Sequence, residues 1–324
     1  MAQRNQAAVL EDSCNAAIAS AAEDVLRAAF RERLAPHAQL EAHLGAALSY
    51  VLDHAGSMVR PRIIYRMAKA HGIEEQAAID LAIALEYFHT SSLIFDDLPC
   101  MDNASMRRGA PCVHLPYGEA GAVLAALALI NRAYALVWRA AGGCAEPVRR
   151  DALAYLERHL GVNGLLNGQS LDLNYASLPH TLESTERIAR GKTVSLIALT
   201  LVLPALTGGA EPRTLQQLER ISLCWGLAYQ IADDLKDVLD SPAATGKTTA
   251  RDESLDRPNT ALAIGVQAAR ERLERLLRLG DRALNALLTA QPSLQFLREF
   301  RSSLEDELER VVRATTMNLI GARP

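Results

Sequence analysis

Two short acidic segments could do chemistry in this chain. In Asp96-Asp97-Leu98-Pro99-Cys100-Met101-Asp102, three carboxylates follow directly on an apolar stretch. They repel one another unless a cation sits between them. Pro99 cannot continue regular hydrogen bonding, so the chain can bend there and turn Asp102 back toward Asp96. In Asp233-Asp234-Leu235-Lys236-Asp237, Asp233 and Asp237 are one helical turn apart and share a face. Either cluster alone would more usually be solvated surface or helix cap. Both, however, end core-like segments, where a bare row of carboxylates is costly. Oxygen-only donors suit Mg²⁺, which takes a few carboxylates plus substrate phosphates. No His–Cys constellation competes for a softer metal. The two segments are expected to face each other and hold magnesium against a substrate diphosphate. Arg107-Arg108, Lys192-Thr193 and Lys247 could donate to its outer oxygens, with Arg supplying planar bidentate pairs.

Helices must position these groups. Residues 77–95 and 215–239 place apolar side chains at helical spacing, among them Ile79, Ala82, Ile83, Leu85 and Tyr87, then Leu218, Ile221, Leu223, Trp225 and Leu227. No run alternates strictly as a half-buried strand would, and no Asn-Gly or Asp-Gly hairpin turn occurs. Gly and Pro mark joints at Gly56 and Pro61, Gly72, Pro99, Gly109 to Pro116, Gly142-Gly143, Gly208-Gly209, Pro242 and Gly246. No long linker divides the chain, so residues 1–324 read as a single all-α domain. The apolar runs 120–137 and 194–206 fall short of the roughly 20 uninterrupted residues of a spanning helix. They read as buried helices, with no membrane span.

Bulk properties exclude other classes. The 324 residues are 49% hydrophobic, enough for a large core. With 34 basic and 38 acidic side chains the net charge is −4, without the basic excess that nucleic acid needs. Cys14, Cys100, Cys112, Cys144 and Cys224 are scattered, with no CxxC pair, and read as thiols of a reducing compartment, hence a cytoplasmic chain. The polar start, with Glu11 and Asp12, is unlike a signal peptide.

Over residues 40–260 the chain resembles the trans-isoprenyl diphosphate synthases of the polyprenyl synthetase family, most of all the geranylgeranyl and farnesyl diphosphate synthases. DDLPCMDNASMRRG, from Asp96 to Gly109, is similar to the first aspartate-rich motif in its longer form. Asp233 to Asp237, preceded by GLAYQIA with Gln230, is similar to the second. Gly168-Gln169-Ser170-Leu171-Asp172 resembles the family's GQxxD, and Lys192-Thr193 its Lys-Thr pair. Pro111, His114 and Gly118-Glu119 resemble the stretch after the Arg pair.

The resemblance implies an all-α bundle around a deep central cavity, the type I isoprenoid synthase fold, in a homodimer. It implies head-to-tail condensation of an allylic diphosphate with isopentenyl diphosphate, using three Mg²⁺. Asp96, Asp102 and Asp233 would be the principal metal ligands, assisted by Asp97 and Asp237. Arg107, Lys192, Thr193, Gln230 and Lys247 would contact the allylic substrate, with Lys192, Gln230 and Arg107 closest to the chemistry. Arg60, His89 and Arg108 would hold isopentenyl diphosphate. Cations around the leaving diphosphate would neutralise its developing charge, and a dry cavity would protect the allyl cation. The departed diphosphate can accept the last proton, so no catalytic His–Asp pair is required.

Two departures matter. Where the family has a GGKRxRP-like run, the chain has Ala55-Gly56-Ser57-Met58-Val59-Arg60-Pro61. Ser57 and Met58 replace two cations, and Leu127 stands where the family often has Asp. The acceptor half is therefore weakened, and Arg62 or Arg66 could compensate. Four, five and eight residues before Asp96, on one helical face, stand Ser92, Ser91 and Phe88. The small serines leave room, and Phe88, about 12 Å below Asp96 at 1.5 Å per residue, could form the floor. A C20 product is expected. The rivals are a terpene synthase-like enzyme using only the allylic diphosphate, and a non-catalytic regulatory partner of a related synthase.

Overall fold

A computed structural model describes residues 22–35, 39–239 and 257–302. Chain contacts divide it into two compact units, Met1–Ala145 and Glu146–Pro324.

In the first unit a helix over residues 22–32 (α1) precedes α2 (Ala42–Asp53), α3 (Val59–Ala70), α4 (Glu75–Asp96) and α5 (His114–Ala140). The Glu74 side chain accepts the backbone N–H groups of Gln76 and Ala77, which caps the start of α4. Ile79, Ala82, Ile83, Leu85 and Tyr87 are all buried, as their spacing predicted. Fully burying one Leu or Ile contributes roughly 1.5–3 kcal/mol. Burial on nearly all sides, more than helix propensity, therefore holds α4 in place. Its widest packing is against α5, whose Ala122, Ala125, Ala126 and Ala133 are buried and let the two axes approach. Tyr87 ties α4 to α1 by donating its hydroxyl to the Phe30 carbonyl at 2.6 Å.

Three expectations are corrected here. Pro61 lies inside the first turn of α3, where a missing N–H breaks no helical bond. A two-residue antiparallel ladder pairs β1 (Met106–Arg107) with β2 (Ala110–Pro111). Arg108 (φ 54°) and Gly109 (φ 78°) turn between them, and so short a ladder leaves no alternation to read. Finally, α4, α5 and the run Leu182–Thr207 are each long and apolar enough to cross a membrane, by length and composition only. The helices outrun the apolar cores that mark them in the sequence. Of their most apolar windows, 78%, 44% and 72% is buried within the protein.

The second unit contains α6 (Glu146–Leu160), α7 (Leu165–Leu173), α8 (Leu182–Ala189), a π-helical turn (Arg190–Val194), α9 (Ser195–Thr207), α10 (Pro212–Leu239), α11 (Thr260–Ile264) and α12 (Val266–Ala290). Leu227, Ile231 and Leu235 of α10 pack with Ala269, Leu273 and Leu276 of α12. Trp225 and Ile221 of α10 are fully buried.

Candidate active site

The first acidic segment is a tight cap on α4. Asp96 is its last residue and Asp97 its C-cap. Past Pro99 the chain reverses, and the Asp102 N–H bonds the Asp96 carbonyl at 2.9 Å. The third aspartate thus returns beside the first, as the proline suggested. Asp96 and Asp102 are half-buried, whereas Asp97 is buried. Arg107 reaches Asp97 with two nitrogens: Nη2 lies 2.6 Å and Nε 3.1 Å from Oδ1. The β-turn aims this arginine back at the cap.

Beside it lies a cationic cluster. Arg60 Nη1 approaches His89 Nε2 at 3.0 Å. Arginine only donates, so Nε2 accepts and the ring proton sits on Nδ1. Burial, followed by Arg60, Arg108 and Arg107, holds the His89 pKa well below its usual value, so the ring is neutral. Arg108 Nη2 reaches buried Glu86 at 3.2 Å, and its Nη1 reaches the His54 carbonyl at 3.4 Å. Burial pushes the Glu86 carboxyl up, against the pull of Arg108, Arg60 and Arg27. A Cβ on Gly56 would stand 2.6 Å from Arg108 Nη2, so a larger residue there would push the guanidinium aside. Ser57 is exposed, and Met58 is buried at the N-cap of α3 in a left-handed conformation, φ 56°.

In the second unit, Lys192 and Thr193 sit on the π-helical turn, a departure from α geometry that often marks functional positions. Lys192 Nζ donates to Asp172 Oδ2 at 2.7 Å, and Arg257 Nη1 lies 3.6 Å from the same oxygen. A contact of Gly168 with Gly191 makes this possible. A Cβ on Gly191 would lie 2.5 Å from the Gly168 Cα, and one on Gly168 2.6 Å from Lys192 N. Thr193 donates to Gln230 Oε1 at 2.7 Å, and Gln230 Nε2 donates to Asp234 Oδ1 at 2.9 Å. Asp234 Oδ2 then accepts the Thr260 N–H at 2.7 Å. Asp234 is turned inward as a structural tie to α11. Asp233 is exposed and Asp237 half-exposed. Lys247 lies outside the described residues.

Among the described residues, no three His, Cys, Asp or Glu side chains gather into a closed metal site. The acidic oxygens still suit Mg²⁺, which binds open sets of one or two carboxylates and fills the rest with water and phosphate.

The polyprenyl synthetase family profile matches residues 41–288. The chain belongs to this family. Its fold is the all-α isoprenoid synthase fold, and its reaction is head-to-tail prenyl transfer. It is 37% identical over 242 residues to geranylgeranyl pyrophosphate synthase 3 of Arabidopsis thaliana, spanning 74% of this chain and 67% of that one. An FPP/GFPP synthase of Zymomonas mobilis superposes with a TM-score of 0.74 at 28% identity, covering 88% of this chain and 96% of that one. A geranyltransferase of Helicobacter pylori, solved with magnesium and isoprenyl diphosphate, has a TM-score of 0.74 at 24% identity, covering 92% and 97%.

Within the first unit of this polyprenyl synthetase, Asp96, Asp97 and Asp102 come together with Arg107, and Arg60 and His89 with Arg108. Within the second unit, Lys192, Thr193 and Gln230 share one corner of the fold. Sequence reasoning missed the counter-charges, Glu86 under Arg108 and Asp172 against Lys192, and also Arg257, a second cation on the Asp172 carboxylate. A glutamate inside the apolar run 77–95 was the signal for Glu86, because a buried carboxylate demands a partner.

Proposed function

We propose that this polyprenyl synthetase joins an allylic diphosphate to isopentenyl diphosphate and releases a C20 prenyl diphosphate. The observation that supports it best is the cap of α4, where Asp96 and Asp102 return to one another and Arg107-Arg108 follow. The relatives named as geranylgeranyl pyrophosphate synthases support the product length. Both acidic segments are read as one set of functional ligands within a single family domain. The family match, continuous through both units, supports that.

Asp96, Asp102 and Asp233 would hold Mg²⁺, three ions in all, with Asp97 and Asp237 assisting. When bound, the metal supplies positive charge to the leaving diphosphate. Lys192 and Arg107 add donors, each already aligned by a carboxylate, Asp172 and Asp97. Thr193 and Gln230 orient each other before substrate arrives. Arg60, neutral His89 and Arg108 would bind the acceptor diphosphate. With Nε2 accepting from Arg60, the His89 Nδ1–H remains available to donate. Ser91 and Ser92 turn their hydroxyls onto the Phe88 and His89 carbonyls, so they present little polarity to a passing cation.

A homodimer belongs to the same reading. Leu124, Leu127, Tyr134 and Trp138 form an apolar stripe along α5, each about half exposed in the single chain. A reducing, cytoplasmic setting and no membrane span or nucleic-acid partner complete it. A regulatory, non-catalytic chain is the weaker reading, since both acidic segments are intact.

The test is direct. The purified chain is incubated with isopentenyl diphosphate and dimethylallyl, geranyl or farnesyl diphosphate, with and without Mg²⁺. A C20 diphosphate formed only with Mg²⁺ is expected. No product from any starter at high acceptor concentration would overturn the reading.

A further inference from the structure

The acceptor loop holds a cation that the family match does not include. Arg27 lies on α1, before residue 41, where that match begins. Its Nη1 donates to the Gly56 carbonyl at 3.3 Å, two residues from the His54 carbonyl that Arg108 Nη1 reaches at 3.4 Å. Arg27, Arg60 and Arg108 all act on the Glu86 carboxylate. Among the described residues, four arginines around this loop (27, 60, 62 and 108) meet two carboxylates. Glu23 bonds Arg27 at 2.8 Å and Arg62 at 3.1 Å, and Glu86 bonds Arg108 at 3.2 Å. With His89 neutral, two positive charges are left over. Such an excess on one loop lowers the free energy of a bound anion.

Positions 57 and 58 cannot supply that charge. Ser57 is uncharged, and Met58 is 1% exposed, its side chain part of the core. Arg27 is itself intermediate in exposure, with its planar fork anchored on one side, where its Nε and Nη2 donate to Glu23 Oε1 at 3.0 and 2.8 Å. An arginine held in that way loses little further freedom on meeting a diphosphate.

We infer that Arg27, delivered by α1 onto the Gly56 carbonyl, binds the acceptor diphosphate in place of the cations absent at Ser57 and Met58. This rests on the reading of Arg60, His89 and Arg108 as the acceptor site. It assigns α1 a role in acceptor selectivity and leaves the allylic half untouched.

The experiment is steady-state kinetics of the full chain, varying each substrate at saturating levels of the other. Arg27→Gln keeps a side-chain amide donor and removes the charge together with the ion pair to Glu23. It is expected to raise KM for isopentenyl diphosphate about tenfold, the worth of one charge-assisted hydrogen bond. The allylic KM should stay within about twofold, on the same reasoning that a distant site is uncoupled. Arg27→Lys should fall between. Adding Ser57→Lys, at an exposed position, to Arg27→Gln should recover most of the lost affinity, which a merely structural role would not allow. An unchanged acceptor KM, or an equal rise in both KM values, would overturn the inference. Loss of folding in Arg27→Gln, read by its melting curve, would overturn it too, because a charge used for binding is not needed for the fold. An inactive wild-type chain would instead count against the synthase reading.

Discussion

Arg107 grips Asp97 with two nitrogens, the closer at 2.6 Å, although ten residues and a chain reversal separate them. Asp97 is 5% exposed at its side chain and Arg107 39%. The pair fixes the loop that returns Asp102 to Asp96. Replacing Asp97 with Asn strips one ionic partner from a largely buried bond. We expect a loss of about 2 kcal/mol, within the range for charge-assisted bonds and discounted for the exposed arginine. Urea denaturation of Asp97→Asn, Arg107→Gln and the double variant would measure it. Additive losses would show that the two side chains do not cooperate.

The carboxylates proposed as principal Mg²⁺ ligands should behave differently from this pair. Asp96→Asn, Asp102→Asn and Asp233→Asn should leave the melting temperature near wild type, since these carboxylates are half-buried or exposed. Each should lower kcat by about a hundredfold or more, because stabilising transferred charge is worth several kcal/mol. Asp234→Asn should do the opposite. It disturbs the Gln230 and Thr260 bonds and is expected to cost stability first. Equal effects of Asp233→Asn and Asp234→Asn on stability and rate would refute this division.

Part of the local geometry was legible in the residues. Pro99 announced the reversal, and the i, i+4 spacing put Asp233 and Asp237 on one face; the inward turn of Asp234 appears only in its bonds to Gln230 and Thr260. Helical periodicity found α4 and α10, and nine of the ten side chains it named there are buried, Leu223 being partly so. What remained hidden depends on contacts far apart in sequence. Nothing local pairs Asp172 with Lys192, twenty residues away, or Glu86 with Arg108. The hairpin at Arg108-Gly109 was invisible because two-residue strands have no period, and its first left-handed residue is an arginine.

The contact of Gly168 with Gly191 gives a sharper test of how Lys192 is placed. Gly191→Ala would bring a methyl within 2.5 Å of the Gly168 Cα, a distance backbone atoms do not tolerate. The helices must separate, at a cost of about 1–3 kcal/mol. Lys192 would then move from Asp172, and turnover should fall more than affinity for isopentenyl diphosphate. A Gly191→Ala protein with wild-type stability and kcat would show that α7 and the π-helical turn are not rigidly set.

His89 gives a pH signature. Its folded pKa lies well below the usual 6.5, chiefly through burial and then through Arg60. Below about pH 6.5 the unfolded chain therefore binds a proton that the folded chain refuses. Stability from this residue is complete above that pH and drains away as the solution becomes more acidic. Glu86 works in the other direction, since its pKa is raised by burial. The comparison must therefore be made between wild type and His89→Gln. Chemical denaturation between pH 7.5 and about 5 should show a shallower acid loss in the variant. Parallel curves for the two proteins would mean that His89 protonates equally in both states.

Product length tests the residues below Asp96. Phe88 is 4% exposed and meets Tyr134 of α5 edge to face, with ring centres 4.9 Å apart. Ser91 and Ser92, nearer to Asp96, are small, so the first large side chain on that face is Phe88. Replacing it with Ala removes an aromatic ring and costs about 3–5 kcal/mol if the space stays empty. A growing prenyl chain can fill that space, which offsets part of the cost in the presence of product. Phe88→Ala should therefore shift the products from C20 toward longer chains, read by chromatography after dephosphorylation, while Tyr134→Ala should do so less. An unchanged product distribution from a folded Phe88→Ala protein would remove Phe88 as the floor and place the length limit elsewhere.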